Sequence, residues 1–202
     1  MPLVCEACQR QFKKIQVEHA CLICGRAGDF VSSGCSDCQK WSRTSTSWFQ
    51  NRSLYVYNEG LQTYMQKYKF QGDYRLRKIF QKEFRKVALN AHRLIVPIPL
   101  HPDTYQQRGF NQVKGLLGDL KSYDVLKTKE RTKKVSQSEK NRRQRLQFQQ
   151  PFKVDSHLLP LIKNQDVLIV DDIYTTGRTI RWAAFLLKQT GAKSVRGLTL
   201  AH

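Results

Sequence analysis

The run Val167-Leu168-Ile169-Val170-Asp171-Asp172-Ile173-Tyr174-Thr175-Thr176-Gly177-Arg178-Thr179 decides the fold. Four successive apolar residues, three of them β-branched, suit a strand covered on both faces. Thr190-Gly191 then closes a helix in which Ile180, Ala183, Ala184 and Leu187 share one side. Strand, short polar turn and helix in succession predict an open, mainly parallel α/β sheet, where ligands collect at the carboxyl ends of the strands. Asp171 and Asp172 stand at such an end with oxygens that accept from hydroxyls. The backbone N–H groups of residues 175–179 open the helix and can cradle a phosphate. A sugar phosphate fits that pairing.

An apolar strand ending in Asp-Asp also fits a Walker B strand or the acidic pocket of a receiver domain. The chain contains no G-x-x-x-x-G-K-[ST] loop, and residues 109–115 are the wrong types for one. A purely structural strand end would carry one polar residue more readily than two adjacent carboxylates before a phosphate-type turn. The run resembles the signature of the type I phosphoribosyltransferases. That resemblance implies that the acidic pair holds the ribose hydroxyls of phosphoribosyl pyrophosphate. The loop of Tyr174, Thr175, Thr176, Gly177, Arg178 and Thr179 would then hold its 5′-phosphate. Arg178 departs from the small residue usual in the family, so its side chain either points to solvent or adds a cation near the phosphate.

At 202 residues the chain is long enough for one ordinary α/β domain and a small appendage. All six cysteines lie between Cys5 and Cys38, so the composition breaks near Trp41. The expected organisation is a cysteine-rich module over residues 1–44 and a three-layer phosphoribosyltransferase-type, Rossmann-like domain over residues 45–202. No apolar run approaches the roughly 20 residues needed to cross a bilayer, and the N-terminus lacks the apolar core of a signal peptide, so a cytoplasmic location is expected. Lys and Arg number 35 against 16 Asp and Glu, a net charge of +19 that calls for an anionic partner. Residues 127–145 alone hold nine basic and two acidic side chains.

The cysteines form three C-x-x-C pairs: Cys5 with Cys8, Cys21 with Cys24, and Cys35 with Cys38. Two residues between thiolates let both sulfurs turn toward one tetrahedral ion, and Gly25 permits the tight turn after the second pair. A disulfide framework is disfavoured in a reducing cytoplasm, and three pairs crowded together without a βαβ frame do not read as a redox motif. Structural zinc is the expectation. Cys21, Cys24, Cys35 and Cys38 are the preferred ligands, because ten intervening residues can bring two knuckles together. Cys5 and Cys8 could replace one of those pairs, join His19 in a second incomplete site, or stay reduced.

In the middle of the chain, residues 53–57 alternate as a short strand. Leu61, Tyr64, Met65 and Tyr68 keep helical spacing. Leu76, Ile79, Phe80, Phe84, Val87, Ala88 and Ala91 mark the apolar stripe of a second helix, with Arg75, Arg77, Lys78, Lys82 and Arg85 mostly off it. A short apolar strand then ends in Val96-Pro97-Ile98-Pro99-Leu100, where two prolines each remove an N–H donor. Arg108-Gly109-Phe110-Asn111-Gln112 enters a helix carrying Val113, Leu116 and Leu117.

V-P-I-P-L, then R-G-F-N-Q, a basic segment and D-D-x-x-T-T-G resemble, in that order, the ComF-type competence proteins, phosphoribosyltransferase relatives with an N-terminal zinc module. Lys69-Phe70-Gln71-Gly72-Asp73 matches the K-F-x-G-D element of the same branch. The resemblance implies that Pro97, Ile98 and Pro99 wrap the pyrophosphate. Arg108 could add a bidentate fork, with Asn111 and Gln112 as neutral donors; the plain alternative is a cap and surface for the next helix. Residues 127–150 would form a basic flexible lid in which Gln137, Ser138 and Arg145 match the family's Q-S…R pattern, or else a solvated charge run. The implied chemistry is pentosyl transfer from phosphoribosyl pyrophosphate with magnesium, and the implied role is natural transformation. Implied partners include single-stranded DNA and a competence DNA-translocation helicase. Two other readings stay open: a single-stranded-DNA factor using Trp41, Trp48 and Phe49 beside the zinc module, and a non-catalytic sensor of phosphoribosyl pyrophosphate.

Overall fold

The computed structural model describes residues 4–44, 46–129 and 150–202. Its centre is a four-stranded sheet in the order β1 (Gln50–Tyr55), β6 (Ser194–Ala201), β5 (Asp166–Ile173) and β2 (Leu94–Pro97). Every pairing is parallel, with Val167 opposite Val195 and Asp171 opposite Thr199 in the central pair, and Val96 opposite Ile169 at the β2 edge. The turn-defining run Val167 to Val170 is buried throughout, as strands covered on both faces require. Successive side chains go to opposite cores: Val167 and Ile169 to one, Leu168 and Val170 to the other.

One face is covered by α3 (Glu59–Lys69), α4 (Arg77–Asn90) and α6 (Gln112–Leu117), which bury Leu61, Tyr68, Phe80, Phe84 and Leu116. The expected stripes fit: Leu61, Tyr64, Met65 and Tyr68 are all buried on α3, as are Phe80, Phe84 and Ala88 on α4. The other face is covered by α8 (Arg178–Gln189), whose Ile180, Ala183, Ala184 and Leu187 are buried, with α7 (Leu159–Ile162) beside it. The result is the expected three-layer α/β arrangement. Between α4 and α6, α5 (Pro102–Arg108) ends on Gly109 in the left-handed region. A two-stranded antiparallel ribbon of β3 (Leu126–Thr128) and β4 (Phe152–Val154) stands at the base of the basic segment. Of the expected lid over residues 127–150, Lys127 and Thr128 belong to β3, Lys129 N–H donates to the Pro151 carbonyl at 2.8 Å, and residues 130–149, with Gln137, Ser138 and Arg145, lie outside the described residues.

Strand β1 starts three residues earlier than its apolar pattern predicts, because Asn51 is buried as a polar residue. Its amide donates to the Cys24 carbonyl at 3.1 Å and to Thr199 Oγ1 at 3.1 Å. Pro97 belongs to β2, a strand position that a proline tolerates because β2 is the sheet edge. The cysteine-rich segment, with short helices α1 (Glu6–Gln11) and α2 (Ser36–Trp41), docks on the opposite edge. Asn51 N–H donates to the Ile23 carbonyl at 2.8 Å and Ile15 N–H to the Leu54 carbonyl at 2.9 Å. Gly25 makes this approach possible: its φ is +78°, and a Cβ there would lie 2.6 Å from the Ser53 nitrogen. Among the described residues no helix is long and apolar enough to cross a membrane.

Candidate functional site

Alternation along β5 sends the two carboxylates to opposite sides of the strand end. Asp172 continues the parity of Leu168 and Val170, toward α3, where Lys69 Nζ meets its Oδ2 at 2.7 Å. Both side chains of that pair are mostly buried, at 12% and 14% exposure. Asp171 follows Val167 and Ile169, and its Oδ1 accepts from the Asp172 backbone N–H at 2.9 Å. Burial, and then the neighbouring Asp172 charge, push the Asp171 carboxyl up to about 8, against the opposing Asp172 N–H and Lys69. A carboxyl whose ionisation burial opposes, next to one paired with a lysine, suits a ligand that brings both hydroxyl donors and cations.

The loop after the pair is held from beneath. Tyr174 N–H donates to the Ala201 carbonyl at 2.8 Å, continuing the β5 to β6 ladder, and the ring is buried and stacked on His202 at 4.8 Å between centroids. Gly177 has φ +75° and caps α8; a Cβ there would lie 2.1 Å from the Tyr174 hydroxyl, so only glycine fits. Among the described residues no acceptor meets the N–H groups of Thr175, Thr176 or Gly177, and these lead directly into the start of a 12-residue helix. That is the geometry of an anion cradle. Thr175, Thr176 and Thr179 are exposed around it. Arg178 is exposed and its guanidinium lies 5.8 Å over the Trp182 ring, along the helix.

On the β2 side, Pro97 and Ile98 are buried, Pro99 is half-buried, and Ile98 N–H still donates to the Val170 carbonyl at 2.9 Å. Asn111 caps α6, its Oδ1 accepting from Val113 N–H at 2.8 Å, while its Nδ2 ties back to the Ile98 carbonyl at 3.2 Å. Gln112 is 1% exposed and its Oε1 accepts from Arg108 Nη1 at 3.1 Å. Asn111 and Gln112 thus shape the loop from behind, in line with the cap alternative. Arg108 and Lys69 line one cavity with Tyr57, Met65 and Phe70.

The second chemical centre is the cysteine group. Cys21, Cys24, Cys35 and Cys38 are buried, and their sulfurs all lie within 4.8 Å of one another. Cys21 and Cys38 Sγ are 3.9 Å apart, and Cys24 and Cys35 Sγ 3.7 Å. Sulfurs about 2.3 Å from a tetrahedral zinc would be separated by about 3.8 Å, so the donor set fits a four-coordinate ion. Without a cation the group frustrates its own ionisation: the hydrogen bond to Cys38 and burial push Cys24 upward, while backbone donors bring Cys21 down to about 7 against burial. Cys5 and Cys8 are exposed on α1 and stand outside this group, and His19 Nδ1 is engaged by Asp29 Oδ1 at 2.6 Å.

Residues 112–202 match the phosphoribosyl transferase domain family. The chain is 36% identical over 202 residues to the competence protein ComFC of Streptococcus pneumoniae, covering 98% of this chain and 87% of that protein. It is 34% identical over 205 residues to the competence protein ComFC of Bacillus subtilis, covering 98% and 83%. The chain belongs to the ComFC family. A more distant member of this group, the competence protein F of Haemophilus influenzae, is 26% identical over 215 residues, covering 98% and 90%. The matched segment of this chain begins at Gln112, so both the acidic pair and its loop fall inside it.

Three positions make contacts with these centres that a reading of the sequence does not reveal. Lys69 carries the K-F-x-G-D resemblance but no role. Arg181 interrupts the apolar stripe of α8 and is 0% exposed. Trp41 reaches from the cysteine segment to the loop, its Nε1–H donating to the Thr176 carbonyl at 3.1 Å. Spacing contains a signal for Arg181, which lies three residues before Ala184 and so falls on the apolar stripe.

Proposed function

We propose that the protein binds phosphoribosyl pyrophosphate with magnesium at the β5 strand end and transfers its phosphoribosyl group to a nitrogen nucleophile, in the service of competence. The observation carrying this reading is the junction of Asp171 and Asp172 with the unsatisfied N–H groups of the loop at the start of α8. The acidic pair would accept from the ribose hydroxyls, and loop N–H groups and the Thr175, Thr176 and Thr179 hydroxyls would hold the 5′-phosphate. In the transfer a bond forms from nitrogen to the anomeric carbon as the carbon–oxygen bond to pyrophosphate breaks. Positive charge that develops on the ribose ring is stabilised by the nearby carboxylates, and Lys69, already beside Asp172, keeps that carboxylate oriented. Magnesium supplies charge neutralisation to the leaving group. Arg108, Pro97, Ile98 and Pro99 would border the pyrophosphate. Zinc at the four buried cysteines has a structural role.

Calorimetry with phosphoribosyl pyrophosphate and magnesium tests the site. Asp171→Ala with Asp172→Ala is expected to weaken binding by about 2 kcal/mol or more while the fold persists. Unchanged affinity in the folded double variant would remove this assignment. Pyrophosphate release across nucleobases, amines and DNA then separates a transferase from a sensor.

A second reading, contact with single-stranded DNA, is favoured by surface charge. Lys78, Lys82, Arg85 and Lys86 of α4 line a concavity of about 410 Å³. It meets, at Asn90, a cavity of about 310 Å³ bordered by Arg52, Arg93 and Arg196. Phosphates along this track would release counterions, so binding is expected to weaken steeply with salt. Lys82→Glu with Lys86→Glu should lower DNA affinity without touching ligand binding at the acidic pair. The basic residues Lys133, Lys134, Arg142 and Arg143 lie outside the described residues and provide a parallel set of substitutions.

A further inference from the structure

Beneath the phosphate-type loop lies a cation that the transfer chemistry does not use. Arg181, on the first turn of α8, is completely buried. Its Nε–H donates to the Tyr174 hydroxyl at 3.0 Å and its Nη1–H to the Thr46 carbonyl at 2.7 Å. Its guanidinium lies 5.1 Å from the Trp41 ring centroid and 5.5 Å from that of Phe49, and its Nη2 meets no acceptor among the described residues. A buried cation with no carboxylate partner among the described residues needs compensating charge nearby. The cysteine group would supply it. Four thiolates around a divalent ion carry a net charge of −2, and Tyr174 and Phe49, both against Arg181, pack in one buried cluster with the four cysteines. Arg26, whose guanidinium meets Asp37 at 2.9 Å and whose carbonyl accepts from Cys21 N–H at 2.8 Å, is a second cation beside that group.

Two physical connections therefore run from the cysteine group to the loop. One passes from Cys38 along α2 to Trp41, whose Nε1–H holds the Thr176 carbonyl at 3.1 Å. The other passes from the thiolates through Tyr174 and Arg181, with the Tyr174 hydroxyl filling the space that Gly177 leaves open. Thr176 and Gly177 are residues whose backbone N–H groups meet no acceptor among the described residues. Each connection ends on that same peptide segment, so its geometry and the occupancy of the four cysteines are not independent.

We propose that Trp41 and Arg181 are positioning residues that couple the cysteine metal centre to the phosphate loop, so that metal occupancy and phosphoribosyl pyrophosphate binding strengthen each other. The coupling rests on the ligand assignment proposed above. By linkage it is reciprocal: a ligand held better when the metal braces the loop must raise the affinity of the cysteines for that metal by the same factor.

The experiment measures zinc release at equilibrium from the full-length, zinc-loaded protein to a competing chromogenic chelator, with and without saturating phosphoribosyl pyrophosphate and magnesium, beside calorimetry on the same samples. In the native protein the ligand should raise the apparent zinc affinity about fivefold or more, the low end of typical coupling. Trp41→Phe keeps the aromatic face over Arg181 but removes the N–H to Thr176, and should cut that protection to less than about twofold while the ligand still binds. Arg181→Lys keeps the charge and should retain more protection than Arg181→Met; where Arg181→Met does not fold, the Trp41→Phe and Arg181→Lys results decide. Ligand binding by calorimetry with unchanged zinc release overturns the coupling and leaves the ligand assignment standing. Absence of ligand binding to native protein overturns both.

Discussion

On the α3 and α4 side of the sheet the core is aliphatic and aromatic, with Phe80, Phe84, Leu61 and Leu116 at its centre and tyrosine hydroxyls turned to carbonyls at its margin. On the α8 side the core continues into four cysteines, a phenol and a fully buried arginine. The first face is stabilised by removing apolar area from water, which needs no ion. The second face contains groups whose burial is unfavourable unless their charges are matched. The difference assigns separate tasks: one face makes the sheet stable, and the other ties the loop that follows β5 to the four-cysteine group. The acidic pair stands where the two meet, Asp172 turned to the first face and Asp171 to the second.

The sharpest break is expected on the metal-dependent face. Cys24→Ser removes one of four ligands and should take zinc content toward zero, with a loss of stability on the order of 5 kcal/mol or more. Metal analysis and denaturant unfolding measure both. Zinc retained at native content would mean that a different set of thiolates binds it. The matching change on the apolar face is Phe84→Ala, where a completely buried ring leaves a cavity and costs about 3 to 4 kcal/mol. Here zinc content should remain native, and loss of metal in this variant would show that the two faces do not separate.

A smaller effect is expected where the faces meet. Desolvation and the neighbouring Asp172 charge push the half-buried Asp171 carboxyl up to about 8 in the folded protein, against about 3.9 when unfolded. Between those values the folded chain holds a proton that the unfolded chain has released, so stability should fall as pH rises from about 4 to about 8. Asp171→Asn cannot titrate. In the absence of ligand it should flatten that decline and be more stable than the native protein by about 1 to 2 kcal/mol at pH 8.5, with little difference at pH 4. Unfolding curves at the two pH values decide, and parallel profiles for the two proteins would place the charge of Asp171 in a solvated setting. Ligand binding should show the opposite trend, strengthening toward pH 8, if the ionised carboxylate is the form that accepts from the ribose.

How much was legible in the sequence follows the same division. The apolar face could be read from periodicity, because Phe80, Phe84 and Ala88 are buried for no reason beyond their hydrophobicity. The acidic pair and its loop were legible because their chemistry is local, packed into nine residues of chain. Arg181, Trp41 and Asn51 were not, since each acts through a partner more than 20 residues away: Thr46, Thr176 and Cys24. A polar residue on an apolar stripe signals burial but not what it meets. Strand β1 was shortened in the reading for that reason, as Asn51 looks like a turn residue until the cysteine segment supplies its acceptor. Arg108, Asn111 and Gln112 were read as candidates bordering the site; Asn111 is engaged by backbone groups, and Arg108 and Gln112 bond each other.

The smallest predicted effect concerns the third cysteine pair. Cys5 is the N-cap of α1, where its side chain makes no hydrogen bond, and both Cys5 and Cys8 are exposed and apart from the four clustered sulfurs. Serine is a better N-cap than cysteine because its hydroxyl oxygen can accept from the free N–H groups of the first turn. Cys5→Ser should therefore leave one zinc per chain and change stability by less than about 0.5 kcal/mol, in the stabilising direction if at all. Denaturant unfolding and metal analysis on the variant measure it against Cys24→Ser under identical conditions. Loss of a second equivalent of zinc from the Cys5→Ser protein would show that the exposed pair carries its own metal, and would extend metal dependence beyond the α8 face.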